Sequence, residues 1–139
     1  MRSPTELGEL FRATGRKNTA QRQCIFELLH GSTAHPTAEA IFAEARAKMP
    51  SISLRTVYQT LNDLASLGEI QQLDLGTGSF RFDPNVDSHH HLVCIECGSA
   101  QDIYAAFPEV QVPPAAAGDF ELTSTEVVFR GRCASCRRP

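Results

Sequence analysis

Two periodicities run along this chain, and the change from one to the other falls near its middle. Up to residue 67 the apolar positions recur every three or four residues, the spacing of helices with one buried face. Ser3-Pro4-Thr5-Glu6 reads as a capping box with proline in the first turn, opening a helix that ends near Gly15. Thr19 caps a second helix, with Ile25, Leu28 and Leu29 at core spacing and Gly31 closing it. Thr37 caps a third, whose apolar face is Ala38, Ile41, Phe42 and Ala45, and Pro50 ends that element. Ser53 caps a fourth over 53–67, with Ile52 and Val57 as a hydrophobic staple. Its buried stripe is Val57, Leu61, Leu64 and Leu67, and Gly68 stops it.

Alternation follows. Glu69 to Leu75 and Ser79 to Asp83 flank Gly76-Thr77-Gly78, the pattern of a β-hairpin. Helices followed directly by a hairpin are the order of a winged helix-turn-helix, in which the last helix enters the major groove of DNA. Past Pro84 the pattern predicts strands at His91–Cys94 and Ser99–Ile103, joined by a Cys-x-x-Cys-Gly turn. Phe120 to Phe129 predicts a third, roughly alternating strand, and the prolines at 108, 113 and 114 allow only a short helix in between. The expected fold class is α+β. Residues 1–83 form a winged-helix DNA-binding domain and residues 84–139 a second, small α+β domain.

Composition narrows the setting. Of 139 residues 42% are hydrophobic, as in an ordinary globular protein, and no apolar run approaches the roughly 20 residues that span a bilayer. The N-terminus lacks the apolar stretch of a signal peptide, so the expected location is cytoplasmic, with no membrane partner. In a reducing compartment paired cysteines are metal ligands more often than disulfides. The net charge of −3 does not advertise a nucleic-acid binder, yet it is unevenly spread. Residues 1–82 hold nine Lys and Arg against eight Asp and Glu, whereas residues 83–139 hold four against eight. Arg16, Lys17 and Arg22 belong to a local basic run near the N-terminus, and the open face of the fourth helix carries Arg55, Thr56, Tyr58, Gln59 and Asn62. These groups suit phosphates and base edges, the alternative being a merely solvated helix face.

The densest chemistry lies between Asp83 and Cys97, D-P-N-V-D-S-H-H-H-L-V-C-I-E-C. Cys94 and Cys97 form one Cys-x-x-Cys knuckle, and Cys133 and Cys136 form another at the far end of the chain. Two knuckles complete a tetrahedral thiolate set, whose preferred metal is a structural Zn(2+). Cys24, beside Ile25 on an apolar helix, reads as a core residue, and His30 as a surface or capping one. His89 and His91 alternate along a strand and project to one side, while His90 faces the other. They are half of a second, exchangeable metal site, with Asp83 and Asp102 as candidate partners. A lone histidine such as His35, just before the third helix, is ordinarily a helix-entry residue.

Five motifs then carry a resemblance over nearly the whole chain: T-A-Q-R-Q (19–23), H-P-T-A-E-A-I-F (35–42), S-L-R-T-V-Y-Q-T-L (53–61), H-H-H-L-V-C-I-E-C-G (89–98) and G-R-C-A-S-C (131–136). In that order they resemble the ferric uptake regulator (Fur) family. The resemblance implies a homodimeric transcriptional repressor that binds an inverted-repeat double-stranded DNA operator when a regulatory metal is present, with the second domain serving dimerisation. It also implies a regulatory ligand set of His35, Asp83, His89, His91 and Asp102, holding Fe(2+) or Mn(2+). Both acidic positions are Asp where iron-sensing members typically have Glu, and with H-P-T-A around His35 this looks like the peroxide-sensing (PerR-type) branch. That branch implies Fe(II)-catalysed oxidation of His35 or His89. The alternative is a repressor responding to iron, manganese, zinc or nickel without oxidation. A third metal site known in some members finds His90 and Glu109 matched here, but Ser88 and Thr125 not. No enzyme activity is expected, because a metal-dependent hydrolase would need a second catalytic carboxylate or a lid. A zinc-ribbon-like module without DNA binding is disfavoured by the helices and hairpin.

Overall fold

The computed structural model describes residues 1–138. The chain divides into two compact units, the first running from Met1 to Val86 and the second from Asp87 onward. Both helices and sheets are present, in an α+β arrangement.

In the first unit four helices precede a hairpin: α1 (Pro4–Ala13), α2 (Ala20–Leu29), α3 (Ala38–Lys48), α4 (Leu54–Ser66), β1 (Gln71–Leu73) and β2 (Arg81–Asp83). Each helix starts where a hydroxyl side chain accepts an orphan amide of the first turn: Ser3 from Glu6, Thr19 from Arg22, Thr37 from Ala40 and Ser53 from Thr56. Around Ser3 the capping box is reciprocal, with the Glu6 carboxylate accepting the Ser3 amide. One apolar core joins the helices, built from Leu7, Phe11, Ile25, Phe26, Ile41, Val57, Leu61 and Leu64 with Ile70 and Phe82 from the hairpin. Phe11 and Phe26 meet edge to face at 5.0 Å. Cys24 lies inside this core, and His30 is the exposed C-cap of α2. The hairpin pairs Gln71 with Asp83 and Leu73 with Arg81.

A three-stranded sheet of order β4–β3–β5 organises the second unit: β3 (His90–Cys94), β4 (Ala100–Ile103) and β5 (Val128–Gly131). β3 runs antiparallel to β4 and parallel to β5. Two single-turn helices, α5 (Pro114–Ala117) and α6 (Ala134–Arg137), complete it. The third strand differs from the sequence reading. Pairing begins only at Val128 and continues to Gly131, and residues 120–127 are not strand. The alternating Phe120 and Leu122 are 73% and 52% exposed, so among the described residues no surface takes up the face that the alternation implies.

Val93 and Cys94 are the only fully buried apolar residues of the described part of this unit, while Ile95, Tyr104, Val110 and Phe129 are exposed. A unit with so little interior needs another source of stability, a metal clip or a partner surface. Among the described residues no helix is long and apolar enough to cross a membrane.

Candidate metal centres

The four paired cysteines converge. Cys94 ends β3, Cys97 lies in the turn that follows, Cys133 is the N-cap of α6 and Cys136 lies within α6. None is in a disulfide, and their sulfurs lie within 4.8 Å of one another. Cys97 Sγ and Cys133 Sγ are 3.8 Å apart. That is far beyond a disulfide bond, but it matches the edge of a tetrahedron with arms of about 2.3 Å, the zinc–thiolate distance.

Local backbone prepares the thiolates. Gly98, at φ 72°, closes the tight turn, and its amide donates to the Cys94 carbonyl. Cys94 is pulled down to about 6, first by the Cys97 amide and then by those of Cys133 and Glu96, all directed at its sulfur. Cys97 is lowered by the Ser99 hydroxyl, 3.2 Å away. Cys136 is pushed up instead, chiefly by its contact with Cys133. Four thiols this close cannot all ionise unless a cation shares them.

The imidazole and carboxylate groups are found in both units. In the first, His35 and Asp83 are buried, with His35 Nε2 and Asp83 Oδ2 3.3 Å apart. His35 is the one non-glycine residue among those described with a positive φ, 49°, a conformation that costs on the order of 1 kcal/mol. Two bonds to β2 hold it there: Arg81 donates to the His35 carbonyl at 3.1 Å, and the Phe82 amide donates to the Pro36 carbonyl at 2.9 Å. The Asn85 amide donates to Asp83 Oδ1 at 2.8 Å, which orients the carboxylate at the strand end. Backbone strain held in place by surrounding bonds is a mark of a functional position.

In the second unit His91 sits opposite Asp102 in the β3–β4 register. Asp102 Oδ1 lies 3.2 Å from His89 Nε2 and 3.6 Å from His91 Nε2. The two rings meet edge to face at 4.7 Å. His89 Nδ1 is 2.6 Å from the Asp87 carbonyl, which can only accept, so that nitrogen carries the proton and Nε2 keeps its lone pair. Tyr104 stacks on His89 at 5.5 Å and donates its hydroxyl to Asp102 Oδ2 at 3.3 Å. His90 is on the opposite face, its Nδ1 accepting the Val127 amide and its ring against Phe107. Ser88 and Thr125 line the space beside it, and among the described residues no third group of ligand atoms gathers around His90.

On α4, Arg55, Tyr58, Gln59 and Asn62 are exposed and Thr56 partly so. The Tyr58 hydroxyl donates to Glu39 at 2.6 Å, and Thr56 is tied to the Ser53 cap. Lys17 is exposed, but Arg16 and Arg22 are turned inward to Asp63, at 3.3 and 3.0 Å. Arg22 also donates to the Lys17 carbonyl and covers the Phe11 ring. Holding α2 to α4 is its structural part, an engagement that composition does not reveal. Reading by spacing also missed Glu126, whose Oε1 lies 2.7 Å from His91 Nδ1. No spacing signal points to it, because only the parallel β3–β5 pairing brings residue 126 to residue 91.

Helices and a hairpin followed by a small sheet unit, with a tetrahedral thiolate set and paired imidazoles and carboxylates, define a two-unit metalloprotein. The model for the ferric uptake regulator family matches residues 13–130. The peroxide-responsive repressor PerR of Staphylococcus epidermidis is 35% identical over 127 residues, 91% of this chain and 85% of that protein. Among solved structures, the ferric uptake regulator of Helicobacter pylori, described as having three functional metal binding sites, superposes with a TM-score of 0.77 at 24% identity, covering 97% of this chain and 91% of that one. The ferric uptake regulator of Vibrio cholerae superposes with a TM-score of 0.72 at 25% identity, covering 91% and 99%. The chain belongs to the ferric uptake regulator family, whose members are metal-responsive transcriptional regulators and not enzymes. Its thiolate set suits zinc, and its imidazole and carboxylate groups suit iron(II) or manganese(II).

Proposed function

We propose that this protein is a cytoplasmic, homodimeric, metal-dependent repressor that senses hydrogen peroxide through oxidation of a ligand histidine. The observation that carries the reading is the donor set. His35 and Asp83 form one pair and His89, His91 and Asp102 one trio, each too few to hold an ion well alone, and both carboxylates are the shorter Asp. In this reading the pair and the trio take the same regulatory ion, which ties the first unit to the second. The first unit acts as a winged helix with α4 in the major groove, and the second joins two copies. The exposed Tyr104, Phe120 and Leu122 supply apolar area for that joining. In a two-fold dimer the ion then sets the separation of the two α4 helices, and DNA and metal favour each other's binding.

Iron(II), when bound, supplies the electrons that activate peroxide. The net change on the protein is one oxygen passing from peroxide to a ring carbon of His35 or His89, while the other oxygen leaves as water. An oxidised ring is a poor donor, so the ion is released and repression ends. Each molecule senses once, which separates this from turnover.

Arg55, Thr56, Tyr58, Gln59 and Lys17 are assigned to DNA, with Arg16 and Arg22 contributing once freed from Asp63. Selection of random duplexes by the Mn(II)-loaded protein, followed by binding with and without chelator, tests the reading. Specific, salt-dependent binding lost on removal of Mn(II) is the expected result. Metal-independent binding, or none, contradicts it. On the selected duplex Arg55→Ala should weaken binding by about 1–3 kcal/mol, or some 5- to 150-fold, while zinc and manganese contents stay at wild-type levels.

A further inference from the structure

We propose that Glu126 is a positioning residue for the regulatory metal, setting the tautomer and donor strength of His91 and making His89 and His91 unequal ligands. The proposal rests on the assignment of both histidines as ligands of that ion. Each ring presents Nε2 towards Asp102 and turns Nδ1 to an acceptor, but the acceptors differ. For His89 it is the neutral Asp87 carbonyl at 2.6 Å, and for His91 it is the Glu126 carboxylate at 2.7 Å.

An ionised carboxylate can only accept, so the proton stays on His91 Nδ1 and Nε2 is left as the donor. A charged acceptor on that N–H pushes more electron density to Nε2 than a carbonyl does, making the metal bond stronger. His91 becomes the anchor and His89 the weaker, more readily released donor.

The backbone keeps this contact in place. The His91 amide donates to the Val127 carbonyl at 3.1 Å, and the Val127 amide donates to His90 Nδ1 at 3.0 Å. Residue 126 therefore reaches His91 just before β5 begins, where His91 pairs with Val128. The Glu126 side chain is 45% exposed while the His91 side chain is 1% exposed, so the carboxylate closes the outer side of a buried ring.

The test is Mn(II) affinity of the zinc-replete, full-length protein carrying Glu126→Gln, Glu126→Ala, Glu121→Gln or His91→Ala. Losing the hydrogen-bond partner that orients a metal ligand costs about tenfold or more in metal affinity. Glu126→Ala is expected to weaken Mn(II) binding about tenfold and Glu126→Gln, which keeps a neutral acceptor, by less. Glu121→Gln, an equal change of charge at an exposed position, should leave it unchanged. In the diamagnetic Zn(II)-loaded form, the His91 Nδ1 proton resonance should move in Glu126→Gln and not in Glu121→Gln. Glu126 variants that bind within twofold of wild type, with an unmoved resonance, overturn the positioning role while a weakened His91→Ala keeps the site. Wild-type affinity in His91→Ala overturns the ligand assignment itself, and the positioning role with it. Neither result depends on peroxide.

Discussion

Cys136→Ser is expected to lose the zinc and, with it, the ordered structure of the second unit. The sulfur it removes is one of four within 4.8 Å of one another, and the unit buries almost no other apolar surface. Where the interior is this small, metal binding is folding free energy. The Cys133–Cys136 knuckle also ties the end of the chain to β3, through the Cys133 amide on Cys94 Sγ and the Ile95 amide on the Gly131 carbonyl. Without the ion, β5 and α6 lose their anchor. Metal analysis should find the thiolate zinc missing, and hydrogen exchange should find β3, β4 and β5 unprotected. The thermal transition of the second unit should fall by more than about 20 °C. The first unit has its own core of helices and hairpin, and α1 to α4 should remain protected. A variant that retained protection in β3 to β5 without zinc would show that the thiolates are not a structural clip.

The second large effect is expected at Asp83. Asp83→Asn keeps the size of the side chain and an oxygen for the Asn85 amide, but removes the charge offered beside His35. Loss of a charged ligand exceeds the 10- to 100-fold cost of disturbing its supporting shell, so Mn(II) affinity should fall by roughly 100-fold or more. Zinc content should be unaffected. Under the proposed reciprocal linkage of metal and DNA, the selected duplex should tighten Mn(II) binding in wild type and lose that effect in Asp83→Asn. Titration calorimetry with and without the duplex reads both quantities. Unchanged metal affinity would remove Asp83 from the ligand set.

What was legible from residues alone follows the range of the forces involved. The starts of α1 to α4 could be read within a residue, because a Ser or Thr hydroxyl finds its amide three positions on and needs nothing distant. Val57, Leu61 and Leu64 were readable as a stripe for the same local reason. The two knuckles were readable because a two-residue spacer aims both sulfurs at one point.

What was not legible depends on contacts made far along the chain. Asp63 draws Arg16 and Arg22 inward from 41 or more positions away, so basic residues expected on the surface are partly engaged. Glu126 meets His91 from 35 positions away. The strand expected from Phe120 was over-read, since alternation shows that one face is apolar but not which surface covers it. The positive φ of His35 has no sequence signature either, because histidine in Ala-His-Pro-Thr carries no sign of left-handed backbone.

Intact mass of the Fe(II)-loaded protein before and after a mild peroxide dose, with peptide mapping and an Mn(II)-loaded control, tests whether histidine oxidation is the switch. A gain of about one oxygen on His35 or His89 is expected in the iron form only, together with release of the duplex. Oxidation confined to the cysteines, or no oxidation while the duplex is still released by metal loss, would contradict peroxide sensing and leave a repressor that reads the metal alone.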